Sequence, residues 1–347
     1  MKKSSALTWG TILVATALTL SACGGTEKPA EPSASPDTSS EKPSESPNAD
    51  GKSFVIGVNQ LLTHPSLDAT LEGFQQAFAD AGYTDGTVTF DVQNAQGDMA
   101  TATTIASKFK SDNVDLILAI ATPSAQASAQ AITDIPILFT AVTEPEAAGL
   151  VKSWEAPGSN VTGTSDLNPV ADQIALAKEI APDAKTVGII YSSGEVNSEV
   201  QVKLAKEAAG GLGLEIKETT VSNSAEVTQA IETLGDVDII YVPTDNTVVE
   251  GLEAVIQFAE AKKIPLIVGE GDSVARGGLA TYGIEYLDLG YQTGKMALRV
   301  LEEGADPATM GVETLDKIGL ILNKGAAERM GVTFSDELVA KADKVID

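Results

Sequence analysis

Seven apolar runs in this chain lead into small polar or acidic residues, and those ends hold most of what could do chemistry. Asn59-Gln60 ends the run that starts at Phe54, Thr122-Pro123-Ser124 lies beyond VDLILAI, and Thr143-Glu144-Pro145 lies beyond IPILFTAV. Further on come Ser192-Ser193-Gly194-Glu195, Thr244-Asp245-Asn246, Glu270-Gly271-Asp272 and Tyr282. The hydroxyls of Thr122, Ser124 and Thr143, backed by helix-N-terminal amides, suit an anionic group such as a carboxylate. Asp245, Glu270, Asp272 and Glu195 suit an ammonium group. A zwitterion of amino-acid type satisfies both halves at once. The acids would also suit a divalent cation with oxygen ligands, although no calcium-loop spacing is present. Each residue taken singly could be no more than a helix N-cap, a position that favours Ser, Thr, Asp and Asn.

Covalent catalysis has little to work with. The 347 residues include one Cys and one His, which excludes a disulfide framework, a Cys/His zinc cage and any pair of imidazoles. A serine triad would have to run through His64 alone, and no nucleophile elbow surrounds Ser192-Ser193. No Gly-rich loop ending in Lys-Ser/Thr is present to cradle a phosphate. Acids outnumber bases 49 to 23, for a formal charge of −26, so the surface repels phosphate backbones and no nucleic-acid partner is expected. No enzyme, cofactor or metal function is expected. His64 precedes Pro65 in the loop after the first apolar run, which places it near a site at that end of a sheet. Trp154, between Gly149 and Pro157, reads as surface or hinge packing.

The elements that must position these groups alternate regularly. FVIGV (54–58), TVTFDV (87–92), VDLILAI (114–120) and IPILFTAV (135–142) read as strands, with helices following Leu67, near 98–110 and near 124–131. TVGIIY (186–191), LEIKET (214–219), VDIIYV (237–242) and IPLIVG (264–269) form a second series, with helices near 169–180, 195–210, 224–234 and 246–262. Continuous Val/Ile/Leu runs between helices predict parallel sheets covered on both faces. Two such series predict an α/β protein of two doubly wound lobes with a cleft between them. A long helix over 287–303 and the run KIGLIL (317–322) complete the sheets. Ligands bind beyond the carboxyl ends of strands in such sheets, where the polar ends lie.

The N-terminus reads as a targeting device. Lys2 and Lys3 precede an uncharged, mostly apolar stretch from Ala6 to Leu20. That stretch is shorter than the ~20 residues of a membrane-spanning helix and suits a signal-peptide core. It ends in Leu20-Ser21-Ala22-Cys23, which resembles the lipobox of bacterial lipoproteins. The resemblance implies removal of residues 1–22 and lipidation (diacylglycerol, palmitate) at Cys23, the chain's single cysteine. Residues 24–52 hold five Pro, six Ser and no Val, Ile, Leu or Phe, so they read as a disordered tether, with a reach of at most ~90 Å. The expected location is the outer face of the cytoplasmic membrane.

Six stretches carry a wider resemblance: GVNQLLTHPSLDATLEGF, ATPSAQASAQAITDIPILFTAVTEPEAAGLV, PGSNVTGTSDLNPV, YSSGEVNSEVQV, PTDNTVVEGLEAV and LATYGIEYLDLGYQTGKMA. Together they resemble the ABC-transporter substrate-binding proteins of the tryptophan/tyrosine class, over residues 54 to 330. The resemblance implies a type I periplasmic-binding-protein fold with two lobes and three hinge crossovers. The expected lobes are 53–163 with 284–315 and 164–283 with 316–347. Carried onto this sequence, it implies ligand contacts from Gln60, His64, Thr122, Ser124, Thr143, Asp166, Glu195, Asn197, Thr244, Asp245, Asn246, Glu270 and Tyr282. Asp166 and Tyr282 fall near the expected crossovers at 163–168 and 282–287. Glu144 departs from the Thr-Asp-Pro of the family pattern by one methylene.

The expected function is therefore a lipid-anchored, monomeric solute receptor of an ABC importer. It binds an aromatic amino acid by hinge closure and passes it to permease and ATPase partners. Alternatives are a sugar or nucleoside receptor of the same fold, a sensory lipoprotein, or an extracellular α/β hydrolase. Asp245 is the expected partner of the ligand's ammonium group, with capping of the following helix as its competing role.

Overall fold

The computed structural model describes residues 51–347. The signal-peptide core, Cys23 and nearly all of the Pro/Ser-rich stretch lie outside the described residues. The first series of elements is β1 (Phe54–Gln60), α1 (Pro65–Asp80), β2 (Val88–Asn94), α2 (Met99–Asp112), β3 (Leu116–Ile120), α3 (Thr122–Ala131), β4 (Ile137–Thr140) and β5 (Val161–Ser165). The second begins with α4 (Val170–Ile180), β6 (Thr186–Ser192), α5 (Val196–Gly211), β7 (Glu215–Val221), α6 (Val227–Thr233) and β8 (Ile239–Val242). It continues with α7 (Asn246–Glu250), α8 (Leu252–Lys262), β9 (Leu266–Val268), α9 (Gly271–Arg276) and β10 (Ala280–Gly283). The chain ends with α10 (Tyr286–Glu303), β11 (Glu313–Thr314), β12 (Gly319–Asn323), α11 (Lys324–Met330), α12 (Asp336–Lys341) and β13 (Lys344–Ile346).

These strands form two sheets, in the orders β11-β5-β4-β3-β1-β2 and β13-β12-β10-β9-β8-β6-β7. Every pairing in the first sheet is parallel, while the second has one antiparallel pair, β10 with β12. Parallel strands need long crossover connections, and helices supply them, which buries both sheet faces. One core around the first sheet holds Leu67, Phe74, Phe78 and Met296. Another holds Phe109, Ile117, Ile132 and Phe139. A larger core surrounds the second sheet.

The chain crosses between the sheets three times, after β5, after β10 and after β11. The second crossing leads into α10, which returns to the first sheet and packs on α1. Glycines let those helices approach closely: a Cβ on Gly290 would lie 1.9 Å from the Thr70 carbonyl oxygen, and one on Gly73 1.9 Å from that of Leu287. This contact matters for the site, because α1 begins just after His64 and α10 begins at Tyr286.

Two expectations need correction. The helix expected over 246–262 is two helices, with Gly251 between α7 and α8. A Cβ at Gly251 would sit 3.1 Å from the Ser224 carbonyl oxygen. Strand β5 was not expected, because VTGTS has a single large apolar residue. It pairs with β4 through Gly163, whose φ of +156° and 1.9 Å Cβ approach to the Phe139 carbonyl oxygen few side chains could tolerate.

Candidate ligand-binding site

A cavity lies between the carboxyl ends of the two sheets. Its lining joins His64, Ser66 and Leu67 at the start of α1, Ala141 after β4, and Asp166 and Tyr286 at the first two crossings. Thr244, Asp245, Asn246, Val249 and Glu270 line it from the second sheet. The space is small, about 290 Å³ with its open mouth included. The two walls therefore nearly touch. His64 Nε2 meets Asn246 Oδ1 at 3.4 Å, and the Thr143 and Thr244 hydroxyls stand 3.5 Å apart.

Acids dominate the second wall. Asp245 is fully buried at the N-terminus of α7 and accepts hydrogen bonds from the Val248 amide at 2.7 Å, the Ser192 amide at 2.6 Å and the Ser198 hydroxyl at 2.6 Å. Burial, and then the charge of Glu195, push its pKa up. Glu270 plays the same part at α9: it accepts from the Asp272 amide at 2.6 Å, the Ser273 amide at 2.9 Å and the Ser273 hydroxyl. Burial pushes its pKa up to about 7, with the charge of Asp272 adding to the effect. Both acids cap helices, and both also line the cavity.

Asp166 is the third buried acid, and burial raises its pKa against the opposing effect of its two hydroxyl partners. Tyr286 donates to it at 2.6 Å and Thr143 at 2.9 Å. Among the described residues no lysine or arginine lines the cavity. Arg276, whose charge reaches His64, is tied to Glu253 and to the Val249 carbonyl. Three carboxyls that resist ionisation around one small space make a site that gains from a cation.

His64 contributes a different chemistry. Burial pulls its pKa down to about 4, so its imidazole is neutral near pH 7. Nδ1 is buried without a hydrogen-bond partner among the described residues. The same holds for the hydroxyls of Thr122 and Ser124, which open α3. These two do not line the cavity, but they are one strand away from it, since the Ala121 amide donates to Thr140 just before Ala141. Ala121 and Ala141 have φ of 79° and 53°, a left-handed conformation that costs of order 1–3 kcal/mol without glycine. Two strained residues at neighbouring strand ends mark this edge of the first sheet.

Of the sequence-derived candidates, His64, Asp166, Thr244, Asp245, Asn246 and Glu270 line the cavity. Thr143 stands behind Asp166. Glu195 stands behind Asn246, whose side-chain amide donates to it at 2.6 Å. Asn197 donates to Glu195 and to the Thr244 carbonyl, both at 3.0 Å. Gln60 is turned to the Leu62 carbonyl and Asp68. Tyr282 lies outside the cavity, half-buried on the second core. Tyr286, one helix start later, is the aromatic residue that reaches Asp166. Sequence reasoning also passed over Ser66, Leu67, Ala141 and Val249. Their signal was position alone: Leu67 is three residues beyond His64, and Val249 three beyond Asn246, one helical turn in each case. Glu144 does not line the cavity either, and its carboxylate accepts from Trp154 Nε1 at 2.7 Å.

The comparisons with known proteins agree with this geometry. The family model described as ABC transporter substrate binding protein matches residues 55–346. A tyrosine-binding protein of Clostridioides difficile (strain R20291) is 49% identical over 271 residues, 78% of each chain. The structure of an ABC domain in complex with L-Trp from Streptococcus pneumonia superposes with a TM-score of 0.82 at 38% identity, covering 85% of this chain and all of that one. The ligand-free, open structure of a substrate-binding protein with adhesive properties from Clostridium difficile gives 0.64 at 46% identity, covering 84% and 99%. Sequence similarity alone would order these two the other way. A Bacillus halodurans solute-binding protein shares only the fold, at 16% identity and a TM-score of 0.60. The two sheets, the three crossings and the cleft between strand ends make a type I periplasmic-binding-protein fold, and the chain belongs to the ABC transporter substrate-binding protein family.

Proposed function

We propose that this protein is a lipid-anchored receptor for an aromatic amino acid and delivers it to an ABC importer. Family membership itself carries a small-molecule ligand, a permease and an ATPase as partners, and a place outside the cytoplasm. The ligand class rests on one observation: Asp166, Asp245 and Glu270 surround a space lined by no cationic side chain among the described residues. An ammonium group supplies the missing charge. The ligand's carboxylate goes to the opposite edge, where the unpartnered hydroxyls of Thr122 and Ser124 open the ten-residue helix α3. Leu67, Val249 and Ala141 offer the side chain an apolar wall. The names of the relatives, one tyrosine-binding and one in complex with L-Trp, support an aromatic side chain.

Ligand bound to both walls stabilises the closed arrangement by its differential affinity for it. Calorimetry with tyrosine, tryptophan and phenylalanine, set against their analogues lacking the amino group and against glucose and myo-inositol, tests the ligand class. Micromolar or tighter binding of the amino acids with loss for the deaminated analogues is expected. Binding of a sugar and of no amino acid would overturn it. The lipid anchor is tested separately: Cys23→Ala should move the protein from the membrane to the soluble fraction with ligand affinity unchanged.

A further inference from the structure

Resting on that reading of the ligand as an aromatic amino acid, we propose that His64 Nδ1 accepts a hydrogen bond from a donor on the ligand's side chain. The site would then select rings that carry O–H or N–H, as in tyrosine and tryptophan, over phenylalanine.

The argument starts at Glu195. Its Oε2 accepts from the Asn246 backbone amide at 3.2 Å and from the Asn197 side chain at 3.0 Å, so this oxygen acts as an acceptor. Asn246 Nδ2 lies 2.6 Å from the same oxygen, which fixes the orientation of the Asn246 amide. Asn246 Oδ1 must then face His64, and it can only accept. His64 Nε2, 3.4 Å away, therefore carries the proton. A neutral imidazole has one N–H, so Nδ1 is left with a lone pair. That atom is buried, has no partner among the described residues, and belongs to a side chain 7% exposed that lines the cavity.

A buried acceptor without a donor is costly, and a ligand that supplies the donor recovers the loss. The ammonium group is not the natural partner, because three carboxyls already line the cavity to receive it. The surroundings of His64 instead match a ring with a polar tip. Leu67, one turn into α1, and Val249, one turn into α7, line the same cavity as the His64–Asn246 bridge, one apolar residue from each wall.

The test is calorimetry on the purified protein with tyrosine, 4-aminophenylalanine, 4-fluorophenylalanine and phenylalanine, using the wild type, His64→Leu and His64→Gln. In the wild type the two donor-bearing rings should bind roughly tenfold or more tighter than phenylalanine and 4-fluorophenylalanine. His64→Leu should bring that ratio to within about twofold, while loss of the His64–Asn246 bridge weakens all four ligands to a common extent; the proposal is read from the ratio alone. His64→Gln, which can present an amide oxygen, should restore part of the ratio. A ratio in His64→Leu unchanged from the wild type would overturn the proposal while leaving the aromatic amino-acid reading intact. Absence of any binding to the wild type would overturn that reading and the proposal with it. If His64→Leu does not fold, equal wild-type affinities for tyrosine and 4-fluorophenylalanine would by themselves refute the proposal.

Discussion

The Tyr286 hydroxyl donates to Asp166 Oδ2 at 2.6 Å, joining the first crossing between the sheets to the start of the helix after the second. Both residues are buried, and Asp166 has the Thr143 hydroxyl as its other side-chain partner. Tyr286→Phe removes this hydrogen bond and leaves a buried carboxyl half-satisfied. A loss of about 1–3 kcal/mol in stability is expected, read as a fall of several degrees in Tm. Unchanged Tm and unchanged ligand affinity together would show that the bond contributes nothing to holding the crossings.

Asp245 performs two jobs, and Asp245→Asn separates them. As a cap, the carboxylate meets only donors: the Ser192 and Val248 amides and the Ser198 hydroxyl. An Asn side chain must turn its own N–H₂ toward one of these groups, at a cost of about 1–3 kcal/mol that relief of the buried charge partly offsets. A modest fall in the Tm of the ligand-free protein is therefore expected. Amino-acid affinity should fall about a hundredfold or more, and affinity for the deaminated analogue much less. Equal losses for both compounds would leave Asp245 with the capping role alone and shift attention to Glu270.

Ligand binding should release protons near pH 6–7. Glu270 holds its proton up to about pH 7 in the folded protein, against an ordinary value of 4.5. Between those values the folded state binds more protons than the unfolded one, so this group's contribution to stability falls as pH rises. An ammonium group beside the carboxyls favours their ionised form and expels the proton. Calorimetric heats measured at pH 6.5 should vary with the ionisation enthalpy of the buffer, in the sense of proton release. Heats independent of buffer would argue against an ammonium group beside these acids.

Gly290→Ala should disrupt the site from a distance. The new Cβ would fall 1.9 Å from the Thr70 carbonyl oxygen, a backbone atom that cannot swing aside. Helices α1 and α10 must separate, and with them His64 and Tyr286 at their starts. Overpacking costs typically 1–3 kcal/mol, so both Tm and ligand affinity should drop. A variant with wild-type affinity would mean that the register between these helices does not set the cavity.

Much of this protein was legible in its residue order. Val/Ile/Leu runs such as VDLILAI and VDIIYV can be buried on both faces only in a parallel sheet, so their alternation with helices determined the two wound sheets. Strand ends follow from strand runs, which is why Asp245, Glu270 and Asn246 were recognisable as candidates. Strand β5 was hidden because its pairing depends on the backbone freedom of Gly163 rather than on apolar side chains. The bonds that Ser192 and Ser198 donate to Asp245 and the unpartnered state of His64 Nδ1 were likewise invisible, since both depend on groups brought together from distant parts of the chain.

The choice between Tyr282 and Tyr286 shows where that boundary falls. The sequence determined that an aromatic residue lies near the crossing after LATYG. Only the packing of α10 on α1 through Gly73 and Gly290 turned Tyr286 toward Asp166, while β10 holds Tyr282 on the second core. Local patterns of three or four residues decide which element forms, because helix and strand periods act at that range. Which polar atom meets which across the cleft is decided by the docking of two separately built sheets, and no periodicity in the chain encodes it.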